Sequence, residues 1–109
     1  MTIPRTVLEI GVGAFRGCSS LPSIEVEEGS RGYRSVDGIV YDGSLAKLLH
    51  APGGLEGDVE IPEGTEEIGP FAFYGCKKTT SIRLPSTLKS VGDSSFNGCS
   101  GLSALRIPA

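Results

Sequence analysis

Apolar residues along this chain follow neither a helical nor a strictly alternating pattern, but they recur at a fixed distance. From Ile61 to Arg83 the sequence opens on Ile-Pro and runs through Ile68-Gly69, Phe71-Ala72-Phe73 and Gly75-Cys76 to Ile82. Moved forward by its own length, this stretch superposes Leu84-Pro85 on Ile61-Pro62, Val91-Gly92 on Ile68-Gly69, Phe96 on Phe73, Gly98-Cys99 on Gly75-Cys76 and Leu105 on Ile82. Moved back until Ile61 falls on Ile3, it meets Ile3-Pro4, Ile10-Gly11, Ala14-Phe15, Gly17-Cys18 and Ile24. Such intervals suit a coil with short straight sides, each giving one or two inward residues before a turn. A single coil leaves its apolar side open, so neighbouring coils must stack to bury it.

The first unit, residues 3–25, predicts short strands at Val7 to Ile10 and Ser23 to Glu27, where β-branched residues recur. Between them, Gly13 to Cys18 reads as a single helical turn that drives Phe15 inward. Glycines bracket this turn in each regular unit, which points to backbone angles or a close approach that a Cβ would obstruct. The second unit, residues 26–60, overruns one period by half a period. Asp37-Gly38 and Asp42-Gly43 flank its excess, and Asp-Gly between apolar runs marks a hairpin turn. A hairpin of Ile39 to Tyr41 with Lys47 to Ala51 is therefore expected inside the coil, followed by a polar loop through Glu56-Gly57-Asp58. The units at 61–83 and 84–107 are regular, and equal positions should form ladders: Phe15, Phe73 and Phe96; Ile10, Ile68 and Val91; Ile24, Ile82 and Leu105. Thr65 and Thr79 depart from the apolar pattern, which predicts a thinner core beside the hairpin unit.

Leucine or isoleucine at fixed offsets with a period in the twenties is the signature of a leucine-rich-repeat solenoid, mostly β, with short parallel strands, single helical turns and one inserted β-hairpin. At 109 residues the chain is one domain. Its net charge of −3 and scattered basic residues argue against a nucleic-acid partner. No apolar run approaches the roughly 18 residues of a membrane span, and Met1-Thr2-Ile3-Pro4 does not begin a signal peptide. The sequence starts and finishes on the Ile-Pro that opens a unit, so it reads as a segment of a longer array, whose uncapped ends would allow end-to-end self-association.

The succession Ile-Pro, Ile-Gly, Ala-Phe, Gly-Cys, Leu, Ile and Ile-Pro resembles the BspA-type leucine-rich repeat of bacterial and protozoan surface proteins. Residues Tyr33 to Pro52, with Ser35-Val36-Asp37-Gly38-Ile39-Val40-Tyr41, resemble the longer hairpin-bearing unit of that family. The resemblance implies a right-handed solenoid, an extracellular or cell-surface location, and a host or matrix protein as ligand. It carries over no catalytic residue, because the shared positions are framework ones.

Candidate chemistry is sparse. Cys18, Cys76 and Cys99 share one ladder position without the spacing of a zinc site, and ladder neighbours point the same way, so they read as buried free thiols. His50 has no nominated nucleophile or orienting acid, and it reads as a strand-face residue of the hairpin. Adjacent carboxylates at Glu27-Glu28 and Glu66-Glu67 would point to opposite faces. Asp37, Asp42 and Asp58 lack the spacing of a calcium loop. Tyr33, Tyr41 and Tyr74 are the tyrosine candidates for an interface anchor, with Tyr41 expected inside the hairpin. These observations predict a non-enzymatic module without cofactor or metal. Its candidate protein-binding face comprises Ser23, Glu25, Ser81, Arg83, Ala104 and Arg106, the outward neighbours of Ile24, Ile82 and Leu105. The alternative is a structural spacer with no ligand of its own.

Overall fold

The computed structural model describes residues 2–7, 9–11 and 21–106. Gly13 to Cys18, with Phe15, lie outside the described residues, as do Leu8 and Ile107-Pro108. Among the described residues ten short strands follow one another: β1 Thr2–Ile3, β2 Glu25–Val26, β3 Tyr33–Val36, β4 Ile39–Asp42, β5 Lys47–His50, β6 Gly57–Glu60, β7 Glu67–Ile68, β8 Thr79–Arg83, β9 Ser90–Val91 and β10 Ala104–Arg106. They form sheets of two strands (β1-β2), three strands (β10-β8-β6) and five strands (β3-β4-β5-β7-β9). Pairing between regular coils is parallel, with Ile82 opposite Leu105 and Ile68 opposite Val91, each pair separated by one period of the sequence. This is the register that the repeat demands.

The turn from Gly69 to Cys76 explains how one coil is tied to the next. Ala72, Tyr74 and Cys76 donate their amides within the turn, to the carbonyls of Gly69, Phe71 and Phe73 at 3.3, 3.1 and 3.1 Å. The intervening amides of Phe71, Phe73 and Gly75 reach across to the carbonyls of Asp93, Ser95 and Asn97 at 3.1, 2.7 and 2.8 Å. A helix would need every one of these amides for itself. Alternate amides serve the neighbouring coil instead, so no helix forms here and the expected helical turn is a run of tight turns. Gly75 and Gly98 hold φ of 72° and 82°, while Phe71 and Ser94 repeat positive values of 60° and 56° one period apart. Gly92 has a different reason to be glycine: a Cβ there would stand 2.5 Å from the Pro70 nitrogen of the coil below.

The insertion is more extensive than a single hairpin. β3, β4 and β5 form an antiparallel meander, with Val36 opposite Ile39 across Asp37-Gly38 and Val40 opposite His50. Asp37 and Gly38 both have positive φ, 52° and 80°, as a tight hairpin turn requires. β5 then joins the parallel stack, placing Leu48 opposite Ile68. Leu48 therefore holds the rung expected for Ile10. The predicted strand at Val7 to Ile10 does not form among its described residues; Ile10 gives its amide to the Tyr33 hydroxyl at 2.6 Å, in place of a ladder carbonyl.

A second ladder is displaced in the same way. Ile82 pairs with Val59 on β6, whereas Ile24 packs with Ile3 and Val40 in a separate cluster. The expected polar loop at Glu56 to Asp58 is partly strand, because Gly57 already belongs to β6. The larger cluster holds Ile39, Tyr41, Leu48, Val59, Ile61, Ile68, Phe73, Cys76 and Ile82. Phe73 is fully buried and stacks on Phe96, with ring centroids 5.5 Å apart and planes at 12°.

Thr65 and Thr79 are also buried, at 1% and 0% exposure. Their hydroxyls donate to the carbonyls of Leu45 and Leu55, at 3.4 and 2.9 Å. The core is thus full at these positions, and the threonines satisfy irregular backbone of the hairpin unit that offers carbonyls without a ladder partner.

Two substitutions test this packing. Phe73→Ala should cost about 3–5 kcal/mol, as for a buried phenylalanine, and half-buried Phe96→Ala should cost less; equal losses in chemical denaturation would contradict the stacking order. Thr79→Val keeps the shape but withdraws the donor from Leu55, and should cost about 1–3 kcal/mol in the same measurement.

Candidate functional site

The outward positions of β6, β8 and β10 form two columns. Pairing sets Asp58 beside Ser81 and Ser81 beside Ala104, then Glu60 beside Arg83 and Arg83 beside Arg106. Alternation places these six on the opposite face from Val59, Ile82 and Leu105. Ser81, Arg83, Ala104 and Arg106 are therefore brought together as the sequence suggests. Ser23 and Glu25 are not part of the same sheet: Glu25 lies on β2, and Ser23 lies beneath the β3–β4 turn, where a Cβ on Gly38 would stand 2.8 Å from its own Cβ. Asp58 and Glu60 take the neighbouring rung. The repeat itself signals them, since Asp58-Val59-Glu60 lies one period before Ser81-Ile82-Arg83.

Charge along this face is arranged between rungs. Arg83 pairs with Glu60 at 3.6 Å, and Asp58 accepts the Ser81 hydroxyl at 2.6 Å. Arg106 extends the basic column one rung further and has no ion pair among the described residues. Comparable bridges join Lys47 to Glu67, Lys89 to Glu66, Lys78 to Glu56 and Arg5 to Glu27, at 3.5 to 3.7 Å. All are exposed, so each contributes little to stability and chiefly sets which charge faces which. Glu66 and Glu67 thus serve different lysines, as strand alternation predicts.

The remaining candidates are absorbed by the fold. Asp42 accepts amides from Ala46 and Lys47 and the hydroxyl of Ser44, which closes the β4–β5 turn. Tyr41 is buried, and burial with Asp37 nearby raises its pKa. Tyr33 accepts the Ile10 amide, and Tyr74 is half-buried with its ring edge-on to Phe71 at 5.7 Å. Cys76 and Cys99 are free thiols; Cys18 lies outside the described residues. Cys76 faces the Pro52 carbonyl at 3.5 Å and Cys99 the Phe73 carbonyl at 3.0 Å. Burial pushes the Cys76 thiol up to about 12 and raises Cys99 as well, so both stay protonated and poorly nucleophilic at neutral pH. Among the described residues no group of three or more His, Cys, Asp or Glu is placed to hold a metal ion. Nor does any described helix have the length and apolarity to cross a membrane.

A cleft of about 370 Å³ lies between β2 and β3, lined by Val26, Glu27, Ser30, Tyr33, Arg34 and Ser35 among others. Several of its polar groups already have partners. Ser35 accepts the Val26 amide, Ser30 accepts the Tyr33 amide, and Glu27 binds Arg5. It is a crevice of the connecting loop.

The profile of the BspA type leucine-rich repeat region matches residues 1–36 and 56–109 in six copies. The chain belongs to this family. The stretch between the matched segments contains most of the β3–β5 meander, where the meter breaks. Among solved structures, the pneumococcal vaccine antigen PcpA is 26% identical, with a TM-score of 0.90 over 98% of this chain. A leucine-rich cell surface protein of Faecalibacterium prausnitzii is 29% identical, with a TM-score of 0.85 over 97%. A leucine-rich repeat protein of Eubacterium ventriosum, at 23% identity and a TM-score of 0.72 over 99% of the chain, shares the fold. The chain spans 27%, 28% and 36% of these three proteins respectively. Comparison with curated proteins gave no significant match. The molecule is a BspA-type repeat solenoid, similar in fold to a pneumococcal vaccine antigen and to a leucine-rich cell surface protein.

His50 supplies a test of its buried placement. It is 6% exposed, and burial lowers its pKa from 6.5. The unfolded chain then takes up the proton first as the pH falls. The contribution of neutral His50 to stability should be complete above pH 6.5 and decline below it, toward the depressed folded value. Urea midpoints at pH 7.5 and 5.5, roughly one unit either side of the ordinary imidazole value, should differ more for the native chain than for His50→Asn.

Proposed function

We propose that this chain is a non-enzymatic protein-interaction module of a cell-surface or secreted protein. Its ligand-facing surface is the outer side of β6, β8 and β10. The observation that carries the proposal is the in-register pair of columns Asp58–Ser81–Ala104 and Glu60–Arg83–Arg106, an extended face with acid on its first rung and arginine on the next two. Solenoids use such repeated faces to engage protein surfaces. A mixed-charge partner suits this one, with its acidic groups over Arg83 and Arg106. The surface location of the F. prausnitzii protein and the antigenic character of PcpA support the same setting for this chain. The engagement of its thiols and aspartates in packing and turns supports the non-catalytic reading.

The structural-spacer reading draws on the same face. Glu60 already neutralises Arg83, Asp58 is hydrogen-bonded to Ser81, and no aromatic side chain occupies the columns to act as an anchor.

Binding of the purified chain to immobilised extracellular-matrix and cell-surface proteins, measured by surface plasmon resonance, separates the two. The interaction reading expects saturable binding that weakens at least ~10-fold, or 1.4 kcal/mol, in Arg83→Glu/Arg106→Glu and is unchanged in Lys77→Glu, an exposed residue off the columns. Binding that is indifferent to the arginine reversal would eliminate this face, and no binding to the whole panel would favour the spacer.

A further inference from the structure

The cleft between β2 and β3 belongs to the loop of residues 27–32, inside the chain, and the preceding coil flanks it. There Glu27 binds both the amide and the guanidinium of Arg5, and the Ile10 amide reaches the Tyr33 hydroxyl. The apolar part of the wall is held as well, because Val26 and Tyr33 pack against the cluster of Ile3, Ile24 and Val40.

Its polar lining is only partly used. Ser30, Tyr33 and Ser35 each accept one backbone amide, from Tyr33, Ile10 and Val26, at 3.3, 2.6 and 2.9 Å. A hydroxyl that accepts a bond keeps its own proton. Three anchored oxygens therefore hold O–H donors that have no acceptor among the described residues. Glu28 and Arg34 line the same cleft, and neither side chain has an ion pair or hydrogen bond among the described residues. Elsewhere glutamate and arginine bridge neighbouring coils, at Arg5–Glu27 and Arg83–Glu60; this pair does not bridge.

We propose that the cleft binds a neutral saccharide of one or two units. At about 370 Å³ it lies at the small end of ligand sites, roughly 300–1,000 Å³. Its unused groups select the chemistry. An anion would meet Glu27 and Glu28, a cation would meet Arg34, and an apolar ligand would cover the hydroxyls, the guanidinium and the carboxylate without bonding them. A sugar answers all of these at once. Its hydroxyls donate to Glu28 and accept from Arg34 and the serines, while its C–H face lies on Val26 and the Tyr33 ring. The site shares no residue with the columns of β6, β8 and β10, so the two surfaces fail or stand separately.

Titration of the whole chain with glucose, galactose, N-acetylglucosamine, lactose and maltose, followed by two-dimensional amide NMR, tests this. At least one sugar should give saturable shifts centred on Ser30, Tyr33, Arg34 and Ser35. Glu28→Ala and Arg34→Ala alter exposed side chains that bond nothing in the chain, and each should weaken that binding at least ~10-fold. Arg83→Glu/Arg106→Glu should leave it unchanged. Absence of saturable shifts with the whole set overturns the proposal, as do shifts centred elsewhere or binding that survives both alanine variants. Tighter binding of sialic acid or glucosamine than of every neutral sugar would also overturn it, since the ligand would then be selected by charge.

Discussion

Everything in this molecule depends on backbone hydrogen bonds that leave one coil and end on the next. In the turn from Gly69 to Cys76, alternate amides close the local turn and the others bond to Asp93, Ser95 and Asn97. That division of donors fixes the vertical register to one residue. Once it is fixed, Phe73 must lie against Phe96 and Ile82 against Leu105, because the side chains have no freedom to slip. The apolar core is then a consequence of backbone register, and its burial in turn shields those bonds from water. Neither contribution would hold a single coil together, which is why the repeat is the unit of description and the stack is the unit of stability.

The meander at β3–β5 shows how an irregular unit is accommodated without breaking the stack. Only β5 needs to enter the parallel sheet, and it does so through Lys47 opposite Glu67 and Leu48 opposite Ile68. β3 and β4 then cover the side where the first coil would otherwise continue. The misfit that remains is polar: carbonyls at Leu45 and Leu55 fall where a regular coil would place ladder groups. Thr65 and Thr79 answer them from the third coil, at positions where the other coils use leucine or valine. A buried carbonyl without a donor is costly, so a hydroxyl at these two points is the better choice despite its lower hydrophobicity.

How much of this was legible in the residues depended on whether the repeat was intact. Where it was, the period placed Phe73 over Phe96, Ile68 under Val91 and Ile82 beside Leu105. Asp37-Gly38 and Asp42-Gly43 located the inserted antiparallel strands through their turn chemistry. Failures cluster where the insertion alters which element is the neighbour. Leu48 and Val59, which hold the rungs assigned to Ile10 and Ile24, lie within a single period of their partners Ile68 and Ile82. The longer backward shift that aligns Ile61 with Ile3 passes over both. Ser23 and Glu25 were drawn into the binding face by that same shift, and Asp58 and Glu60 were left out of it. The missing helix is a failure of another kind, because apolar and glycine spacing marks a tight turn but not which amides that turn retains.

The division of the interior into two clusters, one holding Ile3, Ile24 and Val40 and the other Phe73 and its neighbours, gives the molecule a seam. Among the described residues the meander crosses this seam, with Val40 in one cluster and Tyr41 in the other, and the Gly54 amide crosses it again to the Leu21 carbonyl at 2.8 Å. Among the described residues the first cluster holds Ile3, Ile24 and Val40, and the columns of β6, β8 and β10 stand over the second. The proposed face on β6, β8 and β10 is backed by Val59 and Ile82 of the second cluster, so local opening confined to the first cluster would leave it standing.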